Sequence, residues 1–112
     1  HPPAYLIDTD GELNELTGPV HPTLGSGPDN PSYQPTQRQL QPGERLILLT
    51  DGITQRKMKD GGTFGVEGLR NALDRADNPT AASTAMAIQQ AVTDCWREPL
   101  QDDGTVVVMA IQ

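Results

Sequence analysis

Apolar positions follow two rhythms along this chain, and each rhythm predicts its own kind of element. Tyr5-Leu6-Ile7, then Asp8-Thr9-Asp10-Gly11, then Glu12 to Leu16 predict two short strands joined by a turn, with Asp-Gly supplying the positive-φ position. The continuous apolar run Leu46-Ile47-Leu48-Leu49 has strand length and suits a strand buried on both faces. Pro42-Gly43 sets it off, and Thr50-Asp51-Gly52 closes it with a carboxylate at its end. Past Gly61-Gly62 the spacing lengthens: Val66, Leu69, Leu73 and Ala76 recur every three or four residues, as on one face of an amphipathic helix. Asn78-Pro79 reads as the N-cap and first-turn proline of a second helix. Its stripe is Ala85, Ile88, Val92 and Cys95, reaching about Arg97 with Trp96 beside it. Pro99 ends that helix, and Thr105 to Ile111, rich in Val, reads as a last strand preceded by Asp102-Asp103-Gly104. Strands, two helices and a closing strand predict an α+β fold with an antiparallel sheet.

Between these elements, Thr17 to Pro35 holds five prolines and three glycines and is read as a long loop, the kind of segment that is usually functional or mobile. Gln34 to Leu40 is polar and extended in character.

The chain has 112 residues, which makes it one domain or part of one. At 35% hydrophobic and 21% charged it has the composition of a soluble globular protein. Its longest apolar runs, Leu46 to Leu49 and Val106 to Ile111, fall far short of the roughly 20 residues needed to cross a bilayer. Only four aromatics are present (Tyr5, Tyr33, Phe64, Trp96), so aliphatic packing must dominate the core. A net charge of −7 opposes a phosphate-neutralising footprint on nucleic acid, and no nucleic-acid partner is expected. Cys95 is the only cysteine, so neither an intrachain disulfide nor a cysteine-based zinc site can form, and it reads as a packing residue. No secretory signal is visible from His1 onward, which together with the single cysteine leads us to expect a cytoplasmic setting.

The candidate chemistry lies in carboxylates. Asp51 directly follows one apolar strand, and Asp102-Asp103 precedes another. If those strands are antiparallel neighbours, the end of one lies beside the start of the other and the acids converge, repelling each other unless protonated or bridged by a cation. Oxygen ligands without His or Cys favour hard ions such as Mg²⁺ or Mn²⁺. Acidic residues at strand ends also form turns, so both readings stand at this point. His1-Pro2-Pro3 is a stiff, extended lead into the first strand, and His21-Pro22 reads as solvent-facing. Ser83, Thr84 and Thr54 have no His or Asp partner at useful spacing, so a nucleophilic triad is unsupported. Gly25-Ser26-Gly27 has no helix after it and is no phosphate-binding loop. Arg56-Lys57-Met58-Lys59 is a short basic patch just past Asp51, read as a solvated loop that could also meet an acidic or phosphorylated partner.

Taken in order, His1-Pro2-Pro3, Pro22-Thr23-Leu24-Gly25, the run from Leu40 to Thr54, Phe64-Gly65 with Leu69, and Asp102-Asp103-Gly104-Thr105-Val106 resemble the C-terminal part of PPM-type (type 2C-like) metal-dependent serine/threonine phosphatases. The branch is that of bacterial stage II sporulation protein E and the sigma-factor-regulating phosphatases. The resemblance implies a sandwich of antiparallel sheets flanked by helices, with a centre of two Mn²⁺ or Mg²⁺ ions at one edge. By the same resemblance Asp51 and Asp102 are metal ligands, and Asp103 and Gly52 are supporting positions behind them. The implied reaction is hydrolysis of phosphoserine or phosphothreonine on a regulatory protein by a metal-activated water, with an anti-anti-sigma-type regulator as the expected partner. A dimer is compatible with it. Gln55 stands where such proteins commonly have Glu, and Gly104 where an apolar residue is usual, which weakens the start of the last strand. Their further metal-bridging Asp and Asp-Gly pair lie upstream of the His-Pro-Pro segment. Residues 1–112 are therefore expected to be the C-terminal portion of a single phosphatase domain, with the N-terminal portion absent and little activity alone. The alternative is a catalytically inactive domain of the same fold that binds a partner.

Overall fold

The computed structural model describes residues 1–19, 21, 24–27, 32–76, 78–95 and 98–112. Strand β1 (Ala4–Ile7) turns into β2 (Leu13–Leu16), and β3 (Arg45–Leu49) leads into the one-turn helix α1 (Asp51–Thr54). Helices α2 (Gly65–Asp74) and α3 (Ala81–Asp94) follow, and β4 (Val106–Ala110) closes the chain. The four strands form one antiparallel sheet in the order β2-β1-β3-β4.

The first turn is held as its sequence predicts. Gly11 has φ +86°, its amide donates to the Asp8 carbonyl, and the Asp8 carboxylate accepts from the amides of Asp10 and Glu12. That places Ile7 opposite Leu13. The lead into β3 is a type II turn: Pro42 takes the first corner, Gly43 takes φ +92°, and the Glu44 amide donates back to the Gln41 carbonyl at 3.0 Å. Among the described residues between Thr17 and Leu40 there is no helix or strand, in keeping with the proline-rich composition.

The main core lies on the helix-facing side of the sheet, while Leu6, also fully buried, alternates to the other side. Tyr5, Ile7, Ile47 and Leu49 point toward Leu69 and Ala72 of α2 and Ile88 and Val92 of α3, with Phe64 and Ile53 filling the ends. β3 is therefore not buried on both faces as expected. Leu48 is 37% exposed, and beside it on the outer face its cross-strand partner Val107, together with Met109, is exposed too. An apolar run has no period, so it cannot distinguish a strand buried on one face from one buried on both.

Both long helices exist, each with a shifted frame. In α2 the buried positions are Gly68, Leu69 and Ala72, while Val66 is exposed and Ala76 lies beyond the end. In α3 the buried stripe is Thr84, Ile88 and Val92, with Ala85 only half-buried. The N-cap of α3 is Thr80, not Asn78: its hydroxyl accepts from the Ser83 amide at 3.1 Å. Asn78 instead holds the cap itself, its side-chain oxygen accepting from the Thr80 amide and hydroxyl. Cys95 is half-buried at the C-cap and packs against the core. The expectations for Pro22, Thr23, Trp96 and Arg97 fall outside the described residues. No helix among the described residues is long and apolar enough to cross a membrane.

Candidate functional site

β3 and β4 are antiparallel neighbours, with Leu49 opposite Val106, so the end of one strand does lie beside the start of the other. Thr50 staples that junction. Its amide donates to the Thr105 carbonyl at 3.1 Å, and its hydroxyl accepts from the Thr105 amide at 2.8 Å and donates to the Asp103 carbonyl at 3.2 Å. The chain then turns at once into α1, putting Asp51 in the first turn with its side chain exposed. This helix has no counterpart in the apolar pattern, because four residues are too few to show a helical period.

Gly52 is where the two segments touch. A Cβ built there would overlap the Asp103 carbonyl, lying 2.6 Å from its carbon and 2.9 Å from the Asp102 carbonyl oxygen. The backbone that carries Asp51 thus packs directly on the backbone that carries Asp102 and Asp103.

Asp51, Gly52 and Asp102 line one cleft of about 410 Å³. Gln55, Lys57 and Lys59 line it as well. Asp102 is exposed, and its Oδ1 accepts from the Asp103 amide at 2.8 Å. Asp103 is not part of the cleft wall and meets α1 through its carbonyl. The donors in the cleft are carboxylate and amide oxygens, a chemistry that suits a hard divalent cation. No group of three or more His, Cys, Asp and Glu among the described residues is arranged to hold a metal ion, and the two carboxylates of the cleft are by themselves no full ligand set.

Arg56 behaves differently from the solvated patch expected of it. It is 8% exposed, and its guanidinium donates to the carbonyls of Glu98 and Pro99. Lys57 and Lys59 are exposed, as the sequence suggested. No local pattern in the sequence marks Arg56 as turning inward. His21 also departs from its solvent-facing assignment. It is half-buried, with its ring centroid 5.4 Å from that of Tyr33 and its Nε2 accepting from the Gln34 amide at 3.1 Å, so it ties two parts of the long loop together.

The fold has counterparts in solved phosphatase domains. The SiaA-PP2C domain of Pseudomonas aeruginosa superposes with a TM-score of 0.74 at 22% identity, over 98% of this chain and 43% of that one. The phosphatase domain of the cell fate determinant SpoIIE from Bacillus subtilis, presoaked with Mn, gives a TM-score of 0.71 at 19% identity, over 98% of this chain and 46% of that one. A second structure of the same domain gives 0.69 at 18% identity, over 97% of this chain and 47% of that one. The chain thus spans less than half the length of these solved domains. No curated protein sequence matches it.

The architecture is therefore that of a PP2C-like (PPM-type) phosphatase fold. Residues 1–112 match the stage II sporulation protein E (SpoIIE) family over their whole length, and the chain belongs to that family.

Proposed function

We propose that this chain is the C-terminal portion of a metal-dependent protein phosphatase domain, to which it supplies Asp51 and Asp102 as ligands of a divalent cation centre. The observation that carries this reading is the packing of Gly52 on Asp102-Asp103, which draws two carboxylates from distant parts of the sequence into one cleft. Membership of the SpoIIE family supports it.

Occupied by Mn²⁺ or Mg²⁺, such a centre supplies an activated water and neutralises phosphate oxygens. The chain's own residues do the rest. Asp51 and Asp102 would hold the cations through their carboxylate oxygens. Asp103 keeps the Asp102 backbone against α1, and the Thr50 hydroxyl anchors that carbonyl. Lys57 and Lys59 put positive charge on the cleft wall, where it attracts a phosphorylated chain. The substrate in this reading is phosphoserine or phosphothreonine on a regulatory protein of the anti-anti-sigma type, in a cytoplasmic setting.

The remainder of the domain has a place to pack. Leu48, Val107 and Met109 form an exposed apolar strip on the sheet face opposite the helices, and more than half of each solved relative lies outside the region this chain matches. A second sheet laid on that strip completes the sandwich.

Calorimetric titration with Mn²⁺ tests the metal reading on this chain. Weak binding is expected, lost in both Asp51→Asn and Asp102→Asn. In a domain that includes the N-terminal portion, either substitution is expected to lower phosphate release from a phosphoserine protein by about a hundredfold or more. A complete, folded domain indifferent to Mn²⁺ would overturn the enzyme reading and leave a partner-binding module.

A further inference from the structure

Arg56 carries one of the few buried charges among the described residues, and nothing in the proposed metal chemistry uses it directly. Its base is fixed: the Arg56 amide donates to the Ile53 carbonyl at 3.2 Å, and its carbonyl accepts from the amide of the buried Phe64 at 2.7 Å. Its head reaches across 42 and 43 residues of sequence. Nη2 donates to the Glu98 carbonyl and Nη1 to the Pro99 carbonyl at 2.9 Å. Those two carbonyls stand four and three residues before Asp102. Directly after Asp102, the Thr50 hydroxyl and Gly52 hold the Asp103 carbonyl. Both grips come from residues that flank or form α1, the helix that begins with Asp51.

We propose that Arg56 is a positioning residue: its guanidinium fixes the path of residues 98–101 and, with Thr50 and Gly52, sets where Asp102 stands relative to Asp51. Residues 98–105 contain no helix or strand, so their path depends on such outside attachments. A planar fork spans two successive carbonyls, which a single ammonium does not do. Charge-assisted bonds to the carbonyls are also stronger than neutral ones, which suits an anchor with few companions. The consequence for metal binding rests on the function proposed above; the placement of the loop does not.

The test uses the 112-residue chain as wild type, Arg56→Met and Arg56→Lys. Amide hydrogen exchange is followed by NMR without metal and Mn²⁺ is then titrated in, with unfolding curves for each variant. Arg56→Met is expected to speed exchange at the Asp103 and Thr105 amides about tenfold or more while Ile47 and Val108 stay within about twofold, since the loss is local. Arg56→Lys is expected to fall between. On addition of Mn²⁺, Arg56→Met is expected to need about tenfold more ion than wild type for the same broadening around Asp51 and Asp102 while exchange at Ile47 and Val108 stays unchanged, a combination that uniform destabilisation does not produce. Unchanged exchange at Asp103 and Thr105 in folded Arg56→Met overturns the proposal. Should that variant not fold, selective acceleration in Arg56→Lys supports the proposal and its absence refutes it. A wild-type chain with no broadening at either Asp51 or Asp102 counts against the metal reading, and the exchange result still decides the role of Arg56.

Discussion

Gly52 presses on the backbone of Asp103 so closely that no side chain fits between them. Its φ lies outside the left-handed region, so lack of room, and not an unusual backbone angle, is what demands glycine there. One contact thereby sets the separation of two acidic segments that lie half the chain apart in sequence.

Gly52→Ala is accordingly expected to destabilise the fold by about 1–3 kcal/mol, the usual cost of overpacking, because the atoms it meets are backbone and cannot rotate away. The 102–103 segment has to move. Urea denaturation checks the first effect, and a loss of Mn²⁺ response at Asp102 checks the second. An alanine variant as stable as wild type would mean that the contact is looser than described.

Thr50→Val keeps the shape of the side chain and removes both bonds of its hydroxyl. The Thr105 amide and the Asp103 carbonyl each lose a partner. A cost of about 1–3 kcal/mol is expected, recovered in large part by Thr50→Ser. Equilibrium unfolding of the three proteins side by side decides it.

Thr84 is fully buried in α3, where its Oγ1 accepts from Arg45 Nη1 at 2.6 Å and donates to the Thr80 carbonyl at 2.7 Å. Burial lowers the pKa of the Arg45 guanidinium, which nevertheless stays charged at any ordinary pH. Thr84→Val leaves that N–H facing a methyl group, and a loss of about 1–3 kcal/mol is expected. Removing the charge as well, in Arg45→Met with Thr84→Val, is expected to cost less than the two single changes added together, which a double-mutant cycle reads directly.

Tyr5 predicts an alkaline limit. Burial raises its phenol pKa first, and the negative charge of Glu15, directly opposite on β2, raises it further. A folded pKa above the unfolded one means the contribution is fully present below the unfolded value of about 10 and is lost as pH rises through the higher folded value. Tyr5→Phe is expected to flatten the fall in stability above pH about 10. Unfolding curves between neutral and strongly alkaline pH test this, and an identical alkaline limb in the variant would contradict it.

Much of this architecture was legible in the sequence, for local reasons. Asp-Gly and Pro-Gly mark two turns whose geometry the chain adopts, and the Thr-Asp-Gly after an apolar run marks the strand end that carries Asp51. Convergence with Asp102 followed from antiparallel pairing alone. What escaped has a tertiary cause. Arg56 is buried because carbonyls more than forty residues away receive its guanidinium, and no local pattern encodes that. Asn78 and Thr80 are both good N-caps two residues apart, and the choice falls to Thr80 because Asn78 is occupied in bonding it. The frame of α2 slipped because Gly68 and Ala72, small residues with weak hydropathic signal, form its closest-packed side.

The strand order β2-β1-β3-β4 leaves Val106–Ala110 at a margin of the sheet, with β3 on one side only. Three consecutive valines followed by Met and Ala, carrying no charge and no proline, make that margin a template on which another extended segment can be laid down. At high concentration the 112-residue chain is therefore expected to add strands from a second copy at this edge, which a concentration series in light scattering checks. A lysine in place of the exposed Met109 is the conservative way to blunt it.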